Sequence, residues 1–348
     1  MPSCDDIVRA LSVDIGVRQA GTPAAAEAAA AIRAAFLSLG LEVVDEEFPL
    51  LGYEAGQPEL VIDGESWQVA PCMYAEPAVC TGRVRRLGDG VWEVGEGRVL
   101  RSIFGRGPTP FVGKGSILAV RPTAFISRSD AERVPEGASA RLVTHGRFVP
   151  GRRDRNVIAS LPGQTAETIV VGAHFDSVWG GPGAVDNASG VAGLIAVAER
   201  LVSTGARRTL RFVAFGAEEV GLVGARYHVA EARACQSLGD LVAMINLDTI
   251  ARGDRLQLIG ADTRLANRAQ RIAAELGLDD RYDIELVESQ YLGTDHVAFE
   301  EAGTPSISFV HFPYEEYHLP EDTHELVDWA RLDDTVELAA RLAMELAA

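Results

Sequence analysis

From about residue 153 to the C-terminus, apolar runs of strand length alternate with segments of helical period. "ETIVVGAHF" contains a continuous apolar run, typical of a strand buried on both faces, "TLRFVAFGA" and "LVAMINL" read as two more buried strands, and "TPSISFVHF" as a further strand. "DNASGVAGLIAVAERLVSTG" repeats Val191, Leu194, Ile195, Ala198, Leu201 and Val202 at i, i+3, i+4 spacing. "RLANRAQRIAAELGL" is amphipathic, and "DWARLDDTVELAARLAMELA" closes the chain as a helix. A strand apolar on both sides needs a helical layer on each. The alternation therefore predicts an α/β fold, with a mixed, mostly parallel central sheet covered by helices on both faces.

The first part of the chain gives one more such unit. Thr22 caps and Pro23 opens a helix over "AAAEAAAAIRAAFLSL", Gly40 ends it, and "LEVVDEEF" follows as a strand. Between residues 51 and 150 the texture changes. Short β-like runs ("ELVIDG", "GRVRRLGDGVWEVGEG", "GSILAV", "ARLVTHGRFV") are separated by Gly and Pro turns, and Gly88-Asp89-Gly90 reads as a hairpin. The expected organisation is a discontinuous domain of residues 1–50 and 151–348, with 51–150 as a small β-rich insert.

The titratable residues fall in a pattern on this framework. His174 and Asp176 follow the strand at 169–173, Glu218 and Glu219 follow the strand at about 210–215, and Asp248 follows "VAMINL". Tyr317 and His318 come shortly after the strand at 306–311, and Asp186 opens the helix after the first of these strands. Taken singly, each has a plain explanation: an Asp at a strand end forms turns or caps helices, and adjacent glutamates usually face solvent. Taken together, they stand at one end of one sheet, outside the carboxyl ends of its strands, where open α/β sheets bind ligands. Imidazole plus carboxylate without thiolate suits zinc or a similar divalent transition ion. Five ligands exceed what one catalytic zinc takes, but two ions sharing a bridging Asp would have three each. Such a site needs a water between the metals and a carboxylate to take its proton.

Bulk properties limit the partners. With 348 residues, 47% of them hydrophobic, the chain can bury a large core and more than one domain. A formal net charge of −18 argues against nucleic acid or an anionic membrane as the main partner. The N-terminus lacks the basic-then-apolar pattern of a signal peptide, and no run reaches the length of a membrane span. The expected location is cytoplasmic, with Cys4, Cys72, Cys80 and Cys235 as free thiols.

In chain order, "AHFDS", "GAVDNASG", "FVAFGAEEVGLVGARYHV", "INLDTI", "TDHVAF" and "EEYHLPEDTHELVD" resemble the co-catalytic dizinc aminopeptidases of metallopeptidase family twenty-eight. The resemblance runs from about residue 155 to the C-terminus and extends weakly to "GVRQAGTP" and the first long helix. It implies a zinc exopeptidase fold (phosphorylase/hydrolase-like), two zinc ions per chain, and peptide substrates with a free N-terminus. It implies that His174 and Asp248 bind one zinc, Glu219 and His318 the other, and that Asp186 bridges. Glu218 would be the general base that deprotonates the water between the ions and passes the proton to the leaving amine. Asp176 would hold the tautomer of His174, and Tyr317 would donate to the tetrahedral oxyanion. The family pattern also implies a cis peptide at Asp186–Asn187.

Departures are small: "TDH" stands where SDH is common, and Thr249 follows Asp248 where Met is frequent. Some members carry a protease-associated domain at the place of the 51–150 insert, whose sequence matches that domain poorly; a lid or a protease-associated-like module is expected there. His145, His228, His311 and His324 read as structural, while Asp295 and His296 of "TDH" are expected close behind the ligands or at the substrate rim. Two other readings compete. One is a glutaminyl cyclase on the same scaffold, against which "EYH" and "DNASG" speak. The other is a non-catalytic binding protein, against which the complete ligand set speaks.

Overall fold

The computed structural model describes residues 2–103, 105–109, 111–112, 121–289 and 293–348. The "GSILAV" strand expected at 115–120 lies outside the described residues. Eight strands frame the site: β1 (Glu42–Ile62), β2 (Ser139–Leu161), β3 (Thr165–His174), β4 (Arg208–Phe215), β5 (Leu241–Asp248), β6 (Arg255–Ile259), β7 (Asp283–Val287) and β8 (Ser306–Phe312). They lie in the order β7-β6-β8-β5-β3-β4-β2-β1. β8, β5, β3 and β4 run parallel, whereas β6 opposes β8 and β2 opposes β4. The α/β class and the mostly parallel sheet are as the alternation predicts.

Consecutive apolar residues serve both faces, which is why the strands lack alternation. Ile169, Val171 and Ala173 of β3 pack in one large core with helices Pro23–Ser38, Gly190–Leu201 and Trp329–Ala347. Val170 faces the opposite layer, made by helices Val223–Ala234 and His296–Glu300. Thr22 caps its helix as expected, its Oγ1 accepting the Ala25 N–H at 3.2 Å. Elements absent from the sequence reading are β6, β7 and a helix at Cys4–Arg9, the last capped by Ser3 and Asp6 reciprocally. Cys4, Cys80 and Cys235 are free thiols, as expected. No helix among the described residues is long and apolar enough to cross a membrane.

Residues 50 and 150 do not lie in linkers. They fall inside β1 and β2, which pair antiparallel from Glu42↔Ser160 to Ile62↔Ala140, with shifts of register between Leu50 and Gly52 and between Gly56 and Glu59. The expected strand "LEVVDEEF" is thus the first third of a much longer one. Beyond it, β2 pairs with strand Ala78–Gly88, which turns at Asp89 and Gly90 into Val91–Val94. This region has an apolar cluster of its own, around Leu60, Val84, Trp92, Val94 and Leu142.

Candidate metal centre

The four parallel strands deliver their side chains to one point because adjacent strands end together. His174 and Asp248 are the last residues of β3 and β5. Glu218 and Glu219 stand three and four residues beyond β4, and His318 six beyond β8. The chain re-aims sharply at these ends. Ala217, Thr249 and His318 all have φ between 50° and 58°, the left-handed region that non-glycine residues rarely occupy.

Asp186 comes from the turn Ala184–Ser189, and the Asp186–Asn187 peptide is cis. Two glycines make that turn possible. A Cβ on Gly183 would meet the Asp186 carbonyl oxygen at 2.2 Å, and one on Gly190 would meet Asn187 Oδ1 at 2.2 Å. Asn187 fastens the turn to β5, donating to the Leu247 carbonyl at 2.9 Å and accepting from the Thr249 N–H at 3.1 Å. Asp322 holds it from below, accepting the N–H groups of Val185 at 2.8 Å and Asp186 at 3.0 Å.

The residues expected to bind metal form two triads that share Asp186. His174, Asp186 and Asp248 offer ligand atoms within 4.8 Å of one another, as do Asp186, Glu219 and His318. His174 Nε2 is 3.2 Å from Asp186 Oδ1, and His318 Nε2 is 3.2 Å from Asp186 Oδ2, so the two oxygens of one carboxylate face opposite imidazoles. Asp248 Oδ1 lies 3.7 Å from His174 Nε2, and Glu219 Oε2 lies 3.4 Å from His318 Nε2. Glu218 groups with His174 and Glu219 instead.

Asp176 is fully buried behind this array. His174 Nδ1 lies 3.2 Å from the Asp176 main-chain carbonyl and 3.6 Å from its carboxylate. The carboxylate oxygens accept the backbone N–H groups of Glu218 and Glu219, at 3.0 and 3.2 Å. Tyr317 stacks on the His318 ring, with centroids 3.9 Å apart.

The electrostatics call for cations. Asp176, Asp186, Glu218, Glu219, Asp248 and Asp295 crowd around two imidazoles. Burial, followed by neighbouring carboxylates, pushes the Glu219 and Asp295 carboxyls well above the usual range. Burial works against charging His174, yet Glu218, Asp176, Asp186 and Asp248 together hold it well above its ordinary value. Among the described residues, Glu219 Oε1 and both oxygens of Asp295 are buried without a hydrogen-bond partner. Buried acceptors of this kind, among imidazoles and carboxylates at ligand spacing, fit divalent transition ions.

The other histidines are accounted for by ordinary partners. His228 meets Glu46 at 3.1 Å, His324 meets Asp5 at 2.7 Å, His311 meets Thr335 at 3.1 Å, and His296 lies between Ser289 and Thr294. His145 is half exposed near Glu59.

The sequence reading missed three supporting residues: Asn187, Asp322 and Arg18. The Arg18 side chain is fully buried; its Nε donates to the Phe175 carbonyl at 2.6 Å and its guanidinium reaches the carbonyls of Pro182 and Gly183. It thus ties together both ends of the loop between His174 and Asp186. Burial lowers its pKa to about 10, against the pull of Asp176, Asp322 and Asp186. All three residues lie within segments that carry the family resemblance; the available signal was an unassigned charged or amide residue inside a motif.

The chain is similar to several known proteins. Aminopeptidase YwaD of Bacillus subtilis is 29% identical over 240 residues, covering 64% of this chain and 51% of that protein. A probable leucine aminopeptidase of Arthroderma otae is 30% identical over 234 residues, covering 61% of this chain and 62% of that protein. The chain thus spans between half and two thirds of the length of these curated relatives. Among solved structures, BSAP, a zinc aminopeptidase from Bacillus subtilis, superposes with a TM-score of 0.79 at 22% identity, over 99% of this chain and 94% of that one. The pattern of peptidase family M28 matches residues 156–343, more than half of the sequence and every residue of both triads, and the chain belongs to that family.

Proposed function

We propose that this chain is a two-metal aminopeptidase that hydrolyses the N-terminal bond of peptides. The observation that carries the reading is the pair of triads meeting on the two oxygens of Asp186. His174 and Asp248 would hold one ion, Glu219 and His318 the other, and Asp186 both, with zinc as the first candidate. When bound, the ions would polarise the scissile carbonyl and make water a competent nucleophile near neutral pH.

The protein's own groups do the rest. Glu218 takes a proton from the attacking water onto its carboxylate as the C–O bond forms. It returns that proton to the amine nitrogen as the C–N bond breaks, so it ends in its starting state. Asp176 fixes the backbone on which Glu218 and Glu219 stand, which keeps base and ligand from exchanging places. The Tyr317 hydroxyl donates to the oxygen that gains charge at the carbonyl, from a ring oriented by its stack on His318. Residues 1–50 and 151–348 form the peptidase unit in this reading, with 51–150 inserted as a wall beside the site. The similarity in sequence to curated aminopeptidases supports aminopeptidase action over cyclisation or mere binding.

A panel of aminoacyl chromogenic substrates, read against an N-blocked peptide and a peptide with N-terminal glutamine, tests this. Release from free N-termini and none from the blocked peptide is expected. Conversion of N-terminal glutamine to a lactam without peptide hydrolysis would identify a cyclase and overturn the reading.

A further inference from the structure

The expected ligands are not all held in the same way. His174 and Asp248 are the last residues of β3 and β5 and lie within the strand pairing of the central sheet. The Glu219 backbone is fixed by its N–H, which Asp176 accepts at 3.2 Å. His318 lies six residues beyond β8, at a φ of 58° that a non-glycine residue rarely adopts. Its place therefore depends on what packs against the loop that carries it.

Part of that support comes from the peptidase unit. Arg252 meets Glu316 at 3.3 and 3.5 Å, and a Cβ on Gly181 would stand 3.2 Å from the Leu319 carbonyl oxygen. The rest comes from the insert. The Arg106 N–H donates to the Glu315 carbonyl at 3.0 Å. A Cβ on Gly105 would meet the Tyr317 carbonyl oxygen at 2.9 Å, and one on Gly107 would meet Leu319 Cδ2 at 3.2 Å. Residues 105–107 thus touch the chain both before and after His318.

This part of the insert is itself anchored. The Ser102 N–H donates to the Ile126 carbonyl at 2.9 Å, and the Thr109 N–H donates to Ser102 Oγ at 2.9 Å. Ser102 and Thr109 are both buried, so residues 105–107 stand on a closed base beside the strand Thr123–Ile126. Gly105 has a φ of 75°, so glycine supplies the turn as well as the room. The Arg106 guanidinium is 3.9 Å from Glu321, and both side chains are about half exposed, which makes that ion pair worth little. Backbone, not charge, makes the contact.

We infer that Gly105, Arg106 and Gly107 are positioning residues for Tyr317 and His318. The insert then sets the ion position of Asp186, Glu219 and His318, and leaves that of His174, Asp186 and Asp248 to the sheet. The inference rests on the two-metal peptidase reading, and one set of measurements separates them. Metal-free protein is titrated with zinc against a chelating dye, and kcat and KM are measured on a leucyl chromogenic substrate at saturating zinc.

The unsubstituted protein should show two zinc steps, and His318→Ala identifies the one that belongs to its triad. Gly105→Ala should weaken that step by about 10- to 100-fold and leave the other within about twofold. At saturating zinc its kcat should still fall, by up to about 100-fold, with KM nearly unchanged, because Tyr317 is displaced along with His318. Gly107→Val, which presses on Leu319 instead, should act in the same sense and keeps the test decisive if Gly105→Ala folds poorly. Two controls should leave both zinc steps and kcat within about twofold. Gly64→Ala places a side chain at a similar left-handed φ of 87° in the insert but meets nothing within 4 Å, and Arg106→Ala removes the charge while keeping the N–H. Equal weakening of both steps, an equal effect from Gly64→Ala, or no effect from either Gly105→Ala or Gly107→Val would overturn the inference and leave the peptidase reading intact. An unsubstituted protein that shows no zinc step, or that leaves the leucyl substrate uncleaved, would overturn both.

Discussion

The carboxylate of Asp176 accepts the backbone N–H of Glu218 at 3.0 Å. Its second oxygen does the same for Glu219 at 3.2 Å, so one buried group sets the positions of both adjacent glutamates. Two like charges side by side in the sequence are held apart by backbone bonds rather than by their own side chains. Asp176→Ala removes the acceptor and leaves two N–H groups without it, which costs about 2–5 kcal/mol in stability. Zinc affinity should fall by about 10- to 100-fold, the usual effect of losing a group behind the ligands. Thermal unfolding and competition with a chelating dye measure the two effects; a variant unchanged in both would show that Asp176 does not support the glutamates.

Arg18 makes a second prediction. Its guanidinium fork reaches the carbonyls of Phe175, Pro182 and Gly183 at once, and a lysine ammonium cannot span them. Arg18→Lys keeps the charge and should still destabilise by about 2–4 kcal/mol through the lost bonds. The midpoint of urea unfolding reads this directly. An unchanged midpoint would show that charge alone matters at this position.

His311 gives a pH dependence away from the candidate metal centre. The ring is fully buried on β8 against Thr335 and Tyr282, and Arg331, Asp328 and Asp334 are the charges around it. Burial, helped by Arg331, lowers its pKa to about 3. The folded value lies below the unfolded one, so the stability it contributes is complete above about pH 6.5 and is lost as pH falls toward 3. By pH 5 the loss is about 2 kcal/mol. His311→Gln cannot take up a proton, so its unfolding free energy should vary less between pH 7 and 5 than that of the unsubstituted protein. Equal slopes would place the acid sensitivity elsewhere.

How much of this was legible in the sequence depended on the length scale of the signal. The parallel strands announce themselves because Ile169–Val171 and Leu241–Ile245 are apolar on every residue, and only a two-layered cover explains that. β7 is the edge strand with β6 beside it, and "DIELV" and "RLQLI" mix polar and apolar residues and give no such signature. The expected insert boundaries near residues 50 and 151 rest on the change to short β-like runs between Gly and Pro turns, a local signal that does not reveal the long β1–β2 ribbon. In the structure these residues sit at or near irregularities of a pairing that continues past them. The expected metal ligands were legible as a set, since strand ends converge whatever the loop details. Asp322 was not, because its partners are backbone N–H groups of a turn that periodicity cannot draw.

The central claim is that Glu218 moves the proton while Glu219 holds an ion. It is tested by the rate of Glu218→Gln on a free peptide at measured metal content. The account predicts about two zinc-like ions per chain, as in the unsubstituted protein, with kcat lower by about 10²–10⁴. A variant that keeps full activity, or one that loses the metal instead, would contradict it.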